Sequence, residues 1–362
     1  MKKGKEKKTR YILSIDGGGM RGIIPAYILN RLDTLLEKEG DLRPLYSHFD
    51  LIAGTSTGAL LALALSCPAE GGKLKADSKG GYPVYQEERS FFFRKKEIYK
   101  GRIRSSFDPK IMEDIYLKNG ERIFPHQKSF LGPIFQDKYD VRPFEAFLKE
   151  NLLDYKMNDL LAPTVIVSYD TLSGNPFLFT SYSSCYSLFD ASRASTAAPL
   201  YFPPHMIEDG KGIKRCLVDG GLCANNPALV AYIEAKKLYP DTDEFVILSL
   251  STCKKPFSFD ASKTGGGITG WAYPILKSYM SAQESMMNLS LENLPDARYI
   301  RIYSDILEKK ISLDDVSRES LDELKRIAEL LYKDHECKIK EIAHEISMCR
   351  TRENVKLEYN QS

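Results

Sequence analysis

Apolar residues along the first 250 positions fall into two patterns. Short uninterrupted apolar runs predict strands at residues 11–15, 49–53, 163–167, 177–180, 217–218 and 245–250. Apolar positions at helical spacing predict helices at residues 23–36, 58–65 and 227–238. Strands without polar alternation, separated by helices, are typical of a largely parallel sheet that is covered on both faces. The pattern therefore predicts an α/β fold.

Three further segments lie outside this alternation. Residues 71–81 are glycine-rich and are predicted to form a flexible loop. Residues 99–140 combine Pro, Gly and many aromatics without clear periodicity, which predicts an insertion at one rim of the sheet and a candidate lid. Residues 320–346 carry an apolar stripe at helical spacing, which predicts a long helix packed on the core.

The domain organisation is predicted from the distribution of linker-like segments along the chain. No linker-like stretch divides it, so one large domain is expected. We predict a basic tail at residues 1–10, a single domain at residues 11–350 and a polar tail at residues 351–362. Within the domain, the core motifs occupy residues 11–250 and a helical extension follows at about 260–350.

Composition and charge narrow the class of protein. The chain has 362 residues, of which 43% are hydrophobic and 28% charged, and its formal net charge is +2. This near-neutral charge argues against nucleic acid as a partner. The apolar run at 59–65 is too short for a membrane span, and the N-terminal run is too short for a signal peptide. Seven scattered cysteines without a CxxC pair predict reduced thiols in a cytoplasmic protein and no metal site.

The pentapeptide at residues 54–58 fits the pattern G-x-S-x-G, with Ser56 at its centre. A predicted buried strand precedes it and an apolar helix follows it, which is the setting of a nucleophile elbow. Gly54 and Gly58 allow the backbone to pass close on both sides. At the beginning of a helix, Ser56 would also lie beside free N–H groups that favour developing negative charge. Ser56 is therefore the candidate nucleophile, and the alternative is a tight turn with a capping serine.

A glycine-rich loop, DGGGMRG at residues 16–22, follows the first predicted strand. Successive glycines leave backbone N–H groups unobstructed for an anion. In an acyl hydrolase such a nest is an oxyanion hole, and the arginine adds positive charge nearby. The candidate residues are Gly17, Gly18, Gly19 and Arg21. The loop also fits the dinucleotide fingerprint G-x-G-x-x-G, so a nucleotide-sensing module and a purely structural turn stay open as alternatives.

Asp219 is the candidate general base. It ends the apolar run at 217–218, and Gly220 after it permits a turn and a close approach. A carboxylate at the carboxyl end of a parallel strand would lie on the same edge of the sheet as the elbow. Burial raises the pKa of such a carboxylate toward the working range of a base. The five histidines lie in loops, before the elbow strand or in the C-terminal helix, and none has a comparable setting.

Taken together, these motifs resemble those of the patatin-like phospholipase family. The matching blocks are residues 16–22, 54–58, 191–199, 201–204 and 219–221, followed by Asn-Asn-Pro at 225–227. The resemblance covers about residues 11–250 and implies a three-layer α/β/α sandwich with a mostly parallel central sheet. It also implies a Ser56–Asp219 dyad without histidine, an oxyanion hole at residues 17–19, and hydrolysis of lipid acyl esters without metal or other cofactor.

The same resemblance implies a phospholipid membrane surface as the substrate and peripheral contact with membranes. Three phenylalanines at residues 91–93 are followed by basic residues up to 104, which suits an anionic bilayer, and an ordinary helix with a buried aromatic face is the other interpretation. A carboxylesterase or thioesterase that uses the same dyad on soluble esters is the alternative activity. Some bacterial members are switched on by a partner or a small signal, and the resemblance decides neither this nor the oligomeric state.

Overall fold

The architecture comes from a computed structural model that describes residues 7–68, 82–89, 95–103, 107–125, 137–183, 185–209, 212–253, 257–260, 268–304 and 311–359. Its strands are β1 (Thr9–Ile15), β2 (Leu51–Thr55), β3 (Tyr82–Arg89), β4 (Lys95–Ile103), β5 (Thr164–Asp170), β6 (Asn175–Thr180), β7 (His205–Glu208), β8 (Lys214–Asp219), β9 (Glu244–Leu250) and β10 (Ala297–Ile302). Its α-helices are α1 (Ile23–Lys38), α2 (Thr57–Ser66), α3 (Pro109–Ile123), α4 (Arg142–Leu152), α5 (Leu188–Ser195), α6 (Gly221–Ala224), α7 (Ala228–Leu238), α8 (Ile268–Glu292) and α9 (Arg318–Tyr359).

One eight-stranded sheet has the order β10-β9-β1-β2-β5-β8-β7, with β6 also paired to β5. Neighbouring strands from β10 to β5 are parallel, whereas β6 and β8 are antiparallel to β5, and β7 is antiparallel to β8. β3 and β4 form a separate antiparallel pair. The mostly parallel sheet that the uninterrupted apolar runs predict is confirmed.

Helices cover both faces of this sheet. On one face, Ile28 of α1 and Leu331 of α9 belong to the same core cluster as Leu13 of β1. On the other face, Ala231 of α7 packs in a cluster with Ile12. Because Ile12 and Leu13 are neighbours on β1, their side chains point to opposite faces of the sheet. The result is the predicted three-layer α/β/α sandwich.

The prediction that residues 99–140 lack periodic structure is wrong for the part that forms α3. The Asp108 side chain caps this helix by accepting a hydrogen bond from the N–H of Lys110 at 2.9 Å. Met112 and Tyr116 are buried beneath it. The buried positions are spaced as one helix face requires, but Ile111, Ile115 and Leu117 add apolar residues away from that face and obscure the period in the sequence. The helix predicted at 320–346 is present but longer, as α9.

Several predicted features lie outside the described residues. They include the glycine-rich loop at 71–81, the phenylalanines at 91–93, His126, and residues 104–106 and 126–136 of the candidate lid. The basic segment after residue 94 forms β4, so the alternative of a helix there is wrong. None of the helices in the described ranges is long and apolar enough to cross a membrane.

Candidate active site

Ser56 lies on a sharp turn between β2 and α2. Its φ of 55° and ψ of −121° place a non-glycine residue in a region that only the surrounding structure can enforce. Two close approaches hold the turn in place. A Cβ atom at Gly58 would lie 2.1 Å from the carbonyl oxygen of Ile15, and one at Gly54 would lie 2.3 Å from that of Gly58. Ser56 thus has the strained, half-buried position of a nucleophile elbow.

Asp219 is hydrogen-bonded directly to this serine. The Ser56 hydroxyl donates to Oδ2 of Asp219 at 2.7 Å, and the backbone N–H of Gly221 donates to Oδ1 at 2.7 Å. Both carboxylate oxygens are therefore held, and the side chain is buried. Burial raises the pKa of Asp219 to about 6, against the opposing effect of the hydrogen bonds from Gly221 and Ser56. At neutral pH the carboxylate is mostly ionised and able to accept the serine proton.

The strands that lead to Ser56 and Asp219 meet end to end. Both pair with β5, Thr55 lying opposite Val167 and Asp219 opposite Ser168. The expectation that Asp219 ends a parallel strand is wrong, because β8 runs antiparallel to β5. β5 extends beyond the end of β2, and β8 returns along this extension until it reaches the elbow. The two candidate residues share one edge of the sheet, but for a different reason than the sequence indicates.

The glycine loop is anchored at Gly17. Its N–H donates to the carbonyl of Asn225 at 3.0 Å, and its own carbonyl accepts from the Thr252 hydroxyl at 2.8 Å. The N–H of Gly17 is therefore already used. Within the described part of the chain, the N–H groups of Gly18 and Gly19 have no protein acceptor, and Gly19 has a φ of 59°. These two groups are the ones that the loop leaves for an anion.

Arg21 is buried behind the loop. Its Nε donates to the Gly18 carbonyl at 3.3 Å, and its backbone N–H donates to the same oxygen at 3.3 Å. The carbonyl and the N–H of one peptide unit point in opposite directions, so this contact turns the Gly19 N–H away from Arg21. Burial lowers the pKa of Arg21 to about 10, so that it stays a cation at neutral pH. The arginine orients the loop and adds positive charge behind it.

A second arginine, which is largely buried and which no sequence motif indicated, holds the beginning of the loop. Arg301 of β10 makes a bidentate ion pair with Asp16, at 2.7 and 2.5 Å, and reaches Glu284 of α8 at 3.0 Å. Burial alone would lower the pKa of Arg301, but the Asp16 carboxylate outweighs it and the pKa is raised. Nothing in the local sequence of β10 signals this role, because the partners lie 285 and 17 residues away.

Two more side chains position the elbow, and the sequence analysis missed both. The Ser195 hydroxyl accepts the backbone N–H of Ser56 at 2.9 Å and donates to the Val167 carbonyl at 2.6 Å. The Tyr116 hydroxyl lies 2.5 Å from Oγ1 of Thr57 and donates to the Thr57 carbonyl at 3.2 Å. The only sequence signal for Ser195 is its place in the block at 191–199.

The histidines of the described ranges all bond to groups away from the dyad. Their nearest polar partners are Asp41 for His48 at 3.0 Å, Asp190 for His205 at 2.8 Å, the Leu331 carbonyl for His335 at 3.2 Å and Glu39 for His344 at 3.1 Å. None of these rings is hydrogen-bonded to Ser56 or Asp219. The geometry therefore brings together a serine and an aspartate as the paired groups.

An apolar cavity lies about one helical turn along α2 from the elbow. It lies between α2, α3, α4 and α5 and is partly open to solvent. Its walls include Leu60, Leu61, Ala64, Ile115, Tyr116 and Phe147. Ser192 also lines the cavity, and its buried hydroxyl has no hydrogen-bond partner among the described residues. A cavity with such walls suits a hydrocarbon chain.

Comparison with known proteins supplies a family for this arrangement. A family model described as patatin-like phospholipase matches residues 13–232. Patatin-like protein 2 of Arabidopsis thaliana is 32% identical over 89% of this chain and 82% of its own. Patatin-like protein 2 of Oryza sativa subsp. indica is 31% identical over 88% and 83%, and Patatin-2-Kuras 4 of Solanum tuberosum is 28% identical over 89% and 86%. Among solved structures, VipD from Legionella pneumophila matches 90% of this chain and 67% of its own, with a TM-score of 0.32 and 14% identity.

Proposed function

Because this chain belongs to the patatin-like phospholipase family, whose members are lipid acyl hydrolases, we propose that it cleaves fatty-acyl esters of membrane phospholipids through Ser56 and Asp219. The observation that carries the proposal is the 2.7 Å hydrogen bond from the Ser56 hydroxyl to Oδ2 of Asp219 on a strained elbow. It pairs a nucleophile with a base of suitable pKa at the beginning of a helix.

In the acylation step, Oγ of Ser56 attacks the ester carbonyl carbon while its proton passes to Oδ2 of Asp219. The carbonyl oxygen becomes an oxyanion, which the N–H groups of Gly18 and Gly19 would stabilise by hydrogen bonds. Collapse of this intermediate breaks the bond to the alkoxy oxygen, and protonated Asp219 returns the proton to that leaving group. The products are an ester on Ser56 and a free alcohol, which for a phospholipid is the lysolipid.

In the deacylation step, a water molecule takes the place of the alcohol. Asp219 accepts a proton from the water, whose oxygen attacks the ester carbonyl on Ser56. The tetrahedral intermediate collapses with return of the proton to Oγ of Ser56, and a fatty acid is released. One carboxylate therefore serves both steps, first as base and then as acid.

The lipid nature of the substrate is supported by the cavity beside the elbow. Its walls are apolar, and Leu60 follows Ser56 by one turn of α2. A fatty-acyl chain that enters this cavity would leave its ester carbonyl near the serine. A small soluble ester would gain little from the same walls, which is why we favour a long-chain substrate over a soluble ester.

The test is release of fatty acid from phosphatidylcholine vesicles and of nitrophenol from a short soluble ester. We expect both activities in the wild type and a loss of about a thousandfold or more in Ser56→Ala and Asp219→Asn. Ser66→Ala, at the far end of α2, is the matched control and should keep both activities. Fatty-acid release that survives in Ser56→Ala would overturn the mechanism, and hydrolysis confined to the soluble ester would overturn the lipid substrate.

A further inference from the structure

Helix α8 carries apolar residues on two opposite faces, and among the described residues only one of these faces packs against the rest of the fold. Glu284, Met287 and Leu291 lie on the covered face, where Met287 packs with Val167 and Ala224, and Leu291 is fully buried. The opposite face carries apolar residues spaced by three or four positions. This exposed stripe consists of Trp271, Ile275, Tyr279, Ala282, Met286 and Leu289.

The side chains of the exposed stripe are largely accessible to solvent in the part of the chain that the structure describes. The exposed fractions of Ile275, Tyr279, Met286 and Leu289 are 57%, 58%, 61% and 54%. Single exposed apolar side chains are ordinary, but a contiguous row along one helix face marks an interaction surface.

The position of α8 relative to the sheet sets where this surface lies. Glu284 contacts Arg301, which is paired with Asp16 immediately after the carboxyl end of β1. α8 precedes the parallel strand β10, so the helix enters from the carboxyl edge of the sheet and runs toward the amino edge. Pro274 lies inside the first part of α8. Ile275, which follows it, is nine residues before Glu284, or about 14 Å further out along the helix axis. The first half of α8 therefore projects past the edge that holds the candidate active site.

An aromatic group ends the stripe at its projecting end. Phe257 and Phe259 have ring centroids 5.5 Å apart, and the Phe259 ring lies 5.8 Å from that of Trp271 in an edge-to-face arrangement. Trp271 is 36% exposed. Tryptophan has a large apolar ring and one N–H donor, and it is enriched where hydrocarbon meets water.

We propose that the exposed stripe of α8 is the surface by which this protein docks on a lipid bilayer. The inference rests on the proposed function, since it places the lipid surface on the same side as Ser56. The stripe residues carry no charge, so docking is driven by burial of apolar side chains among the lipids and not by attraction to anionic headgroups. Zwitterionic phosphatidylcholine vesicles are therefore a sufficient partner, and binding should change little with salt.

The experiment uses the full chain with Ser56→Ala, so that vesicles stay intact, and measures sedimentation with phosphatidylcholine vesicles at low and high salt. The stripe variant is Ile275→Ser with Leu289→Ser. The matched control is Ile233→Ser with Leu172→Ser, which removes one isoleucine and one leucine that are 46% and 64% exposed elsewhere. We expect about a tenfold or greater loss of vesicle affinity in the stripe variant only. The same substitutions, made with Ser56 intact, should leave hydrolysis of a short soluble ester unchanged.

Three outcomes would overturn the docking proposal. The first is equal loss of vesicle affinity in both pairs, and the second is no loss in either. The third concerns the oligomeric state measured by sedimentation. If the wild type is a dimer, and the stripe variant is a monomer with unchanged vesicle affinity, then a second copy of the chain covers the stripe. Vesicle binding that depends on the stripe in a protein with no ester hydrolysis would instead overturn the proposed activity and leave the docking surface in place.

Discussion

Thr55 and Asp219 end two strands that meet head to head along β5, where they lie opposite the consecutive residues Val167 and Ser168. Ser56, the next residue after Thr55, therefore comes within 2.7 Å of the Asp219 carboxylate. The distance between the candidate nucleophile and its base is fixed by backbone pairing to a third strand. The pair therefore forms without movement of a loop. Single substitutions at the residues that hold it should change activity or stability directly.

The raised pKa of Asp219 predicts the pH dependence of acylation. Asp219 must be ionised to accept the serine proton, and burial raises its pKa to about 6. We expect kcat/KM for a soluble ester to rise with pH through an apparent pKa of about 6 and then to level off. A rate that is independent of pH from about pH 5 to 8 would show that this carboxylate is not the base.

The same raised pKa predicts that Asp219→Asn is more stable than the wild type at neutral pH. An acid whose pKa is raised on folding favours the folded state at low pH, and this contribution is lost as pH rises from about 4 to about 6. The advantage of Asn should therefore grow across that window and amount to about 1–3 kcal/mol above it. Urea denaturation measures it. The contrast is Asp170→Asn, which should lose stability at neutral pH because the pKa of Asp170 is lowered and Arg215 pairs with it.

Ser195→Ala should lower kcat with little change in KM. The Ser195 hydroxyl accepts a hydrogen bond from the N–H of Ser56 at 2.9 Å. Without this hydroxyl the N–H has no acceptor, and the backbone of the elbow is held less firmly. A loss of about tenfold to a hundredfold is expected, from about 1–3 kcal/mol for a buried N–H left without an acceptor. Ser181→Ala is the control, because Ser181 accepts the N–H of Thr164 at 2.9 Å near the other end of β5. Equal effects of both substitutions on kcat would mean that the serine acts only through global stability.

Arg301→Met should destabilise the protein by about 3–5 kcal/mol, because it removes the cation that forms an ion pair with the buried carboxylate of Asp16 and with Glu284. Adding Asp16→Asn should recover part of this loss of stability, since it removes the negative charge of the buried Asp16 carboxylate. The free energy of unfolding of the two single variants and the double variant gives the coupling. Additive effects would show that the ion pair does not hold the beginning of the glycine loop.

Filling the cavity beside the elbow should change the preference for acyl-chain length. Ala64→Leu adds side-chain volume to the cavity wall, and we expect kcat/KM for long-chain relative to short-chain esters to fall about tenfold. Leu60→Met, which nearly conserves volume, is the control and should leave the ratio unchanged. A ratio that stays constant in Ala64→Leu would place the acyl chain elsewhere.

Local sequence was sufficient for the parts of the site that a few consecutive residues determine. The elbow at Ser56 needs glycines at two nearby positions, because any Cβ there would meet a backbone carbonyl within 2.3 Å. The glycine loop is likewise formed by consecutive residues, at positions 16–22, and so is the turn after Asp219. The alternation of apolar runs and helices predicted the three-layer fold for the same reason, since each element is encoded by its own residues.

The tertiary structure alone decided which distant residues complete the site. The direction of β8, the Arg301–Asp16 pair and the contact of Ser195 with the elbow join residues 51, 285 and 139 positions apart. It also decided which apolar face of α8 packs against the described part of the fold and which is exposed there, a difference that spacing along the helix cannot indicate. A sequence pattern records the preference of each residue for its own backbone conformation and for burial, whereas long-range pairing depends on how the packed layers position whole strands and helices.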